Sequence, residues 1–166
     1  MASSLKYAIF ETRAGWVGAL GSEKGLRRLT LPQNSPEEAR LELGEELTLA
    51  LSSPQFFEDL TSRLKQYFVG EEVAFPDRLD LSWATPFQIR AWEVARRIPY
   101  GETRSYRWVA NEMGKPQGAR AVGQAMGRNP VPIIIPCHRV VASGGGLGGF
   151  GGGLEMKKRL LALEAS

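Results

Sequence analysis

Cys137 and His138 are the only cysteine and the only histidine in a chain of 166 residues, and they are neighbours. A thiol with a reference pKa of roughly 8.5 is mostly protonated at neutral pH. A nucleophilic Cys137 therefore needs a base, a cation or a helix N-terminus to raise its thiolate fraction. His138 and Arg139 are the nearest candidates. On an extended strand adjacent side chains point to opposite faces, so His138 reaches the sulfur only through a turn or a bridging water. A lone buried cysteine is more often inert core, and a Cys-His pair by itself also fits an acyl hydrolase.

The flanking residues narrow the choice. Asn129-Pro-Val-Pro-Ile-Ile-Ile-Pro136 leads into the pair, with three prolines fencing a β-branched run. Residues 143–153 hold eight glycines around Leu147 and Phe150. A glycine-rich backbone can come close to a ligand, and an aromatic set in it offers a stacking wall for a planar ring. No Lys-Ser/Thr follows, so this is not a phosphate loop. A last helix is expected over 154–164 with Leu160, Leu161 and Leu163 inward. It leaves Glu164 either as a solvated terminus or as a carboxylate held near His138.

The elements that must position these groups are legible in the caps. Thr85-Pro86-Phe87-Gln88 is a capping box opening a helix to about Ile98, with Phe87, Ala91, Ala95 and Ile98 on one face. Ser105 opens a shorter helix through Tyr106, Val109, Ala110 and Met113, closed by Gly114. After the turn Lys115-Pro-Gln-Gly118 comes a second helix, Ala119 to Gly127. A helix, a Gly/Pro turn and a helix suit a DNA reader, although short helix pairs also build plain helical subdomains. The second helix carries mostly Ala, Gly, Val and Met, which offer few groups to base edges. They permit close backbone approach, with Arg120 as the one probing side chain. The other reading is tight packing, with Arg120 as a phosphate contact.

Charge is divided along the chain. Residues 1–84 carry 9 Lys/Arg and 13 Asp/Glu, a net of −4, whereas residues 85–166 carry 12 and 5, a net of +7. The asymmetry points to a polyanion partner for the second half, or to a solvated basic face. In the first half, residues 6–20 read as a hairpin and Gly25 to Leu31 as a third strand, a small antiparallel sheet. Helices are expected after Ser35-Pro36 and after Ser53-Pro54, the latter burying Phe57, Leu60, Leu64 and Phe68. Domain boundaries follow: 1–75, an extended link over 76–84 containing Pro76, and 85–166. One cysteine and one histidine exclude an intramolecular disulfide and a finger-type zinc site. No apolar run approaches the roughly 20 residues that span a bilayer. The N-terminus lacks an apolar signal core, so a cytoplasmic protein is expected.

Pro136-Cys137-His138-Arg139-Val140 resembles the active-site signature of the O6-alkylguanine-DNA alkyltransferases. Thr85-Pro-Phe-Gln, Gly101-Glu-Thr-Arg-Ser-Tyr106, Ala119-Arg120-Ala-Val-Gly, Asn129-Pro-Val-Pro and Gly152-Gly-Leu to Leu-Glu164 follow in the family's order. The match is close over about half the chain and holds only in outline before it. The resemblance implies an α/β protein with a ribonuclease-H-like N-terminal antiparallel sheet with helices. A mainly helical C-terminal domain with a winged-helix-like helix-turn-helix follows. It implies direct repair of O6-alkylguanine in duplex DNA, with O4-alkylthymine left open, by a monomer without cofactor or metal.

It also implies roles. Cys137 is the nucleophile, His138 its base through a water, and Glu164 the carboxylate that orients His138. Asn129 braces the turn, and Tyr106 donates to the departing base at N3. Arg120 takes the place of the flipped nucleotide, and Ser105, Tyr106, Arg107, Lys115, Ala119 and Arg128 contact DNA. Met126, Pro132, Val140, Ser143, Phe150, Gly151 and Gly152 shape the pocket. Where some relatives have Tyr-Ser in the pocket loop, this chain has Phe150-Gly151, which leaves two hydroxyls out. Some relatives also hold zinc near the N-terminus, but residues 1–84 contain no Cys or His. Three alternatives stand beside repair: a lesion-binding protein without transfer, a DNA-binding regulator with an inert cysteine, and the acyl hydrolase.

Overall fold

The structure is a computed structural model that describes residues 4–144, 146–150 and 152–166. The chain forms two compact units, Met1–Leu81 and Ser82–Ser166.

The first unit is built on a four-stranded sheet. Strands β1 (Leu5–Thr12), β2 (Gly15–Ser22) and β3 (Gly25–Leu29) form the antiparallel meander that the apolar runs predict. A fourth strand, β4 (Ala50–Ser52), joins the far edge parallel to β1, so the order is β3-β2-β1-β4 and the sheet is mixed. Three residues of pairing give no alternation that a sequence pattern could reveal. Helix α1 (Pro36–Leu43) starts where Ser35 Oγ accepts from Glu38 N at 3.1 Å. Glu38 Oε2 accepts from Asn34 N at 3.1 Å, one residue before the cap. Helix α2 (Glu58–Phe68) follows a 3-10 turn at Pro54–Phe57 and buries Leu60, Leu64, Tyr67 and Phe68.

The extended stretch after α2 is held against the sheet. Leu26 N donates to Arg78 O and Asp80 N to Leu26 O, both at 2.8 Å. These bonds satisfy backbone groups that an open edge strand would expose. Gly25, at φ +140°, makes the approach possible, since a Cβ there would sit 2.5 Å from Arg78 O. Buried Asp80 accepts from Arg27 at 2.9 Å and from Ser22 Oγ at 2.9 Å, closing the strap with side chains.

The second unit is mainly helical. Helix α3 (Pro86–Ala95) has the full capping box, with Gln88 N on Thr85 Oγ1 at 3.1 Å and Thr85 N on Gln88 Oε1 at 3.0 Å. Strand β5 (Arg104–Ser105) leads into α4 (Tyr106–Glu112), and the turn at 113–118 leads into α5 (Ala119–Gly127). Strand β6 (Val140–Val141) pairs parallel to β5, and α6 (Leu154–Ala165) ends the chain. The core is Trp92, Val94, Ala95, Ile98, Val109, Ala110, Val122, Val131 and Ile135, all at most 1% exposed. Each large apolar side chain so buried contributes roughly 1.5–3 kcal/mol. Trp92 Nε1 also donates to Ala125 O at 2.9 Å, tying α3 to α5.

Among the described residues no helix is long and apolar enough to cross a membrane. Nor is any group of three or more His, Cys, Asp or Glu among them placed to hold a metal ion.

Candidate active site

The approach to Cys137 is irregular and buried. Every residue from Val131 to Val140 is buried. Ile133 sits at φ +77°, a left-handed conformation that a β-branched residue adopts only when its surroundings enforce it. Pro132 and Ile135 bridge, and Pro136 then opens a 3-10 turn over Cys137–Arg139. The proline-fenced run is therefore a tight reversal rather than a strand. It places Cys137 and His138 on a turn, the geometry that adjacent residues need to serve one site.

Asn129 braces this turn. Its Nδ2 donates to Ile135 O at 2.8 Å and to Cys137 Sγ at 3.0 Å, while its Oδ1 accepts from Val131 N at 2.9 Å. Cys137 is 4% exposed. Burial pushes its thiol up to about 11, against the bond from Asn129 and the nearby charge of Lys157, which both pull it down.

His138 is fully buried, and its Nε2 lies 2.6 Å from Glu164 Oε2. An ionised carboxylate only accepts, so Nε2 carries the proton and Nδ1 keeps its lone pair. Nδ1 is buried without a hydrogen-bond partner among the described residues. Burial lowers the imidazole below its ordinary 6.5, with Glu164 opposing, so the ring is neutral at pH 7. Glu164 is thus the held carboxylate and not a solvated terminus. It also accepts from Arg139 Nε at 2.8 Å, Arg139 Nη2 at 3.0 Å and Gly101 N at 3.2 Å. Arg139 in turn donates to Ile98 O at 2.8 Å. It therefore acts on the carboxylate, where sequence reasoning considered it a partner for the thiol.

A cleft of about 560 Å³ is lined by Tyr106, Ala119, Arg120, Gly123, Gln124, Gly127, Gly149 and Phe150. Arg120 is exposed at the start of α5, and Tyr106 Oη donates to Gly149 O at 3.3 Å. The two helices, the glycine-rich loop and its aromatic therefore share one concavity. Gly123 and Gly127 line it because the small residues of α5 face outward as well as inward. Ser105 caps α4, its Oγ accepting from Trp108 N at 2.9 Å. Arg107, Lys115 and Arg128 are exposed, as are Ser143 and Gly152. Met126, Pro132 and Val140 are buried and do not line the cleft. Gly151 lies outside the described residues.

Sequence reasoning missed Lys157. Helix α6 buries Lys157, Leu160 and Glu164, while Leu161 and Leu163 are only partly buried. The signal was spacing: 157, 160 and 164 share one helical face, and a lysine in that register is not a surface residue. Its Nζ donates to Val140 O at 2.8 Å, to Gly149 O at 3.0 Å and to Leu147 O.

The similarities to known proteins agree with this layout. Residues 86–166 match the family described as 6-O-methylguanine DNA methyltransferase, DNA binding domain. The chain is 39% identical to a methylated-DNA–protein-cysteine methyltransferase of Mycolicibacterium paratuberculosis, over 96% of this chain and 92% of that one. It is 38% identical to one of Methanosarcina acetivorans, over 96% and 98%. The OGT protein of Mycobacterium tuberculosis, solved in complex with DNA, superposes with a TM-score of 0.83 at 39% identity, covering 96% of this chain and 92% of that one. Fold and site together define a DNA-binding protein with a held thiol, and the chain belongs to the O6-methylguanine-DNA methyltransferase family, the methylated-DNA–protein-cysteine methyltransferases. The α/β architecture implied by the signature residues is that of the family.

Proposed function

We propose that this protein repairs O6-alkylguanine in duplex DNA by moving the alkyl group irreversibly onto Cys137. The activity itself, methylated-DNA–protein-cysteine methyltransferase in DNA repair, is the family's; the assignment to residues is our reading. The observation that carries it is the turn at Cys137–Arg139, which sets an Asn129-braced thiol beside an imidazole held by Glu164.

The unit Ser82–Ser166 binds the duplex, and the target nucleotide leaves the stack, as chemistry on a base in a duplex requires. Arg120 fills the gap, and Ser105, Arg107, Lys115, Ala119 and Arg128 lie on the DNA side. The flipped guanine stacks on Phe150, beside Gly123, Gly127 and Gly149 of the cleft. The Cys137 S–H proton passes through a water to His138 Nδ1. The sulfur forms a bond to the alkyl carbon as the carbon–O6 bond breaks, and that electron pair leaves on the guanine. Tyr106 shifts its hydroxyl from Gly149 O to N3 of the leaving base and stabilises the charge there. With its thiol near 11, Cys137 is about one part in 10⁴ thiolate at pH 7. Proton removal is therefore part of the reaction and not a resting property. A thioether has no route back through these residues, so each molecule acts once, as a monomer, and without a cofactor.

Intact mass spectrometry after incubation with a duplex carrying one O6-methylguanine tests this. The expected result is a gain of one methyl group, on the peptide containing Cys137, that stops at one per protein. Tight binding of that duplex with no mass gain would instead support a lesion-binding protein without transfer.

A further inference from the structure

Lys157 is a fully buried charged side chain that the transfer step does not use. It is 0% exposed, on the inner face of α6. Its three acceptors are all backbone carbonyls: Val140, three residues past Cys137, and Leu147 and Gly149 of the glycine-rich loop. An ammonium has three donors and no acceptor, so this triad is matched to the charged form. A neutral amine would leave one carbonyl unmet. Burial pulls Lys157 below its ordinary value, and the three carbonyls offset that cost.

The loop's own backbone bonds are local, Ala142 N to Gly146 O and Gly153 N to Phe150 O, both at 3.0 Å. Gly148, at φ +73°, lies so close to Tyr106 that a Cβ there would meet Tyr106 Oη at 2.5 Å. The Tyr106 hydroxyl reaches Gly149 O at 3.3 Å, a longer bond than the 3.0 Å from Lys157 to the same oxygen. The Lys157 Nζ also stands 5.8 Å from the centre of the Tyr106 ring. One nitrogen thus joins α6, β6, the loop and the ring of α4. Phe150, a wall of the cleft, is the next residue after Gly149.

We infer that Lys157 is a positioning residue: its ammonium pins the glycine-rich loop to the strand that follows the reactive turn, and so sets the wall against which the alkylated base must stack. The inference rests on the proposed function for its substrate. The pinning frees Tyr106, because Gly149 O keeps a donor when the hydroxyl turns to the base.

The test compares Lys157→Met, which keeps the apolar stem, with Lys157→Arg, which keeps the charge but not three donors on one nitrogen. Amide hydrogen exchange over 146–150 needs no substrate. Single-turnover reaction with free O6-benzylguanine separates half-saturation from maximal rate without DNA. In both variants we expect faster loop exchange and a half-saturating concentration raised about tenfold, with the maximal rate changed by less than about threefold. Unchanged exchange and half-saturation would overturn the inference. So would a defect confined to the maximal rate, which marks a charge acting on the thiol, or full restoration by Arg. If Met fails to fold, the Arg variant carries the same comparison. Failure of the wild-type protein to gain an alkyl group would refute the proposed function while leaving the exchange result to judge the pin.

Discussion

At the scale of single residues, the site is a set of buried groups that hold one another's protonation states. Glu164 fixes the His138 tautomer, Arg139 aims Glu164, and Asn129 holds the sulfur while burial keeps it protonated. This has a consequence for stability. The folded thiol is raised to about 11 from a free-thiol value of roughly 8.5–9. Between those values the folded state keeps a proton that the unfolded chain releases, so stability falls as pH rises. The contribution is fully present below pH 9 and lost through about pH 11. Denaturant melts of the wild type and Cys137→Ala should therefore diverge across this window, the wild type losing on the order of 2 kcal/mol relative to the variant. Parallel curves would mean that the thiol titrates normally. Both the Cys137–His138 pair and the candidate partner Glu164 were readable from the chain. The roles of Arg139 and Lys157 were not, because each acts through atoms distant in sequence.

At the scale of elements, caps decide where α3 and α4 begin. Thr85 and Gln88 exchange both bonds of the capping box on an exposed helix start, and Ser105 caps α4. Such side chains act locally, which is why the caps at 35, 85 and 105 could be read in advance. Thr85→Ala should cost about 1 kcal/mol, lowering the melting temperature by roughly 2–4 °C, while Thr85→Ser should restore most of it. A melt unmoved by Thr85→Ala would show that packing of Ala91, Trp92 and Ala95 alone sets the helix start. The segment 129–136 behaves differently. Its prolines and isoleucines suggested an extended run, yet a bridge and the positive φ of Ile133 fold it back. No local preference of isoleucine favours that conformation; the tertiary packing imposes it.

At the scale of the whole molecule, charge is segregated by unit, −4 in Met1–Leu81 and +7 in Ser82–Ser166. The second unit also carries the DNA-binding domain match. Affinity for undamaged duplex should therefore be led by phosphate contacts and fall about 100-fold between 50 and 200 mM salt. Fluorescence anisotropy across that range measures it, and a flat response would mean that the basic residues do not face DNA. The sequence by itself determined the adjacent cysteine and histidine, the capped starts of α3 and α4, the three-stranded meander and the charge division. These depend on residue type, short spacing and local hydrogen bonds. Only the tertiary structure decided that β4 adds parallel to β1, that 78–80 straps β3, and that one carboxylate serves both His138 and Arg139. It alone placed the Lys157 ammonium among three carbonyls. Each of these joins groups from separate segments, and burial made the pairings necessary: an ion or an edge amide withdrawn from water must find its partner wherever the packed chain brings one.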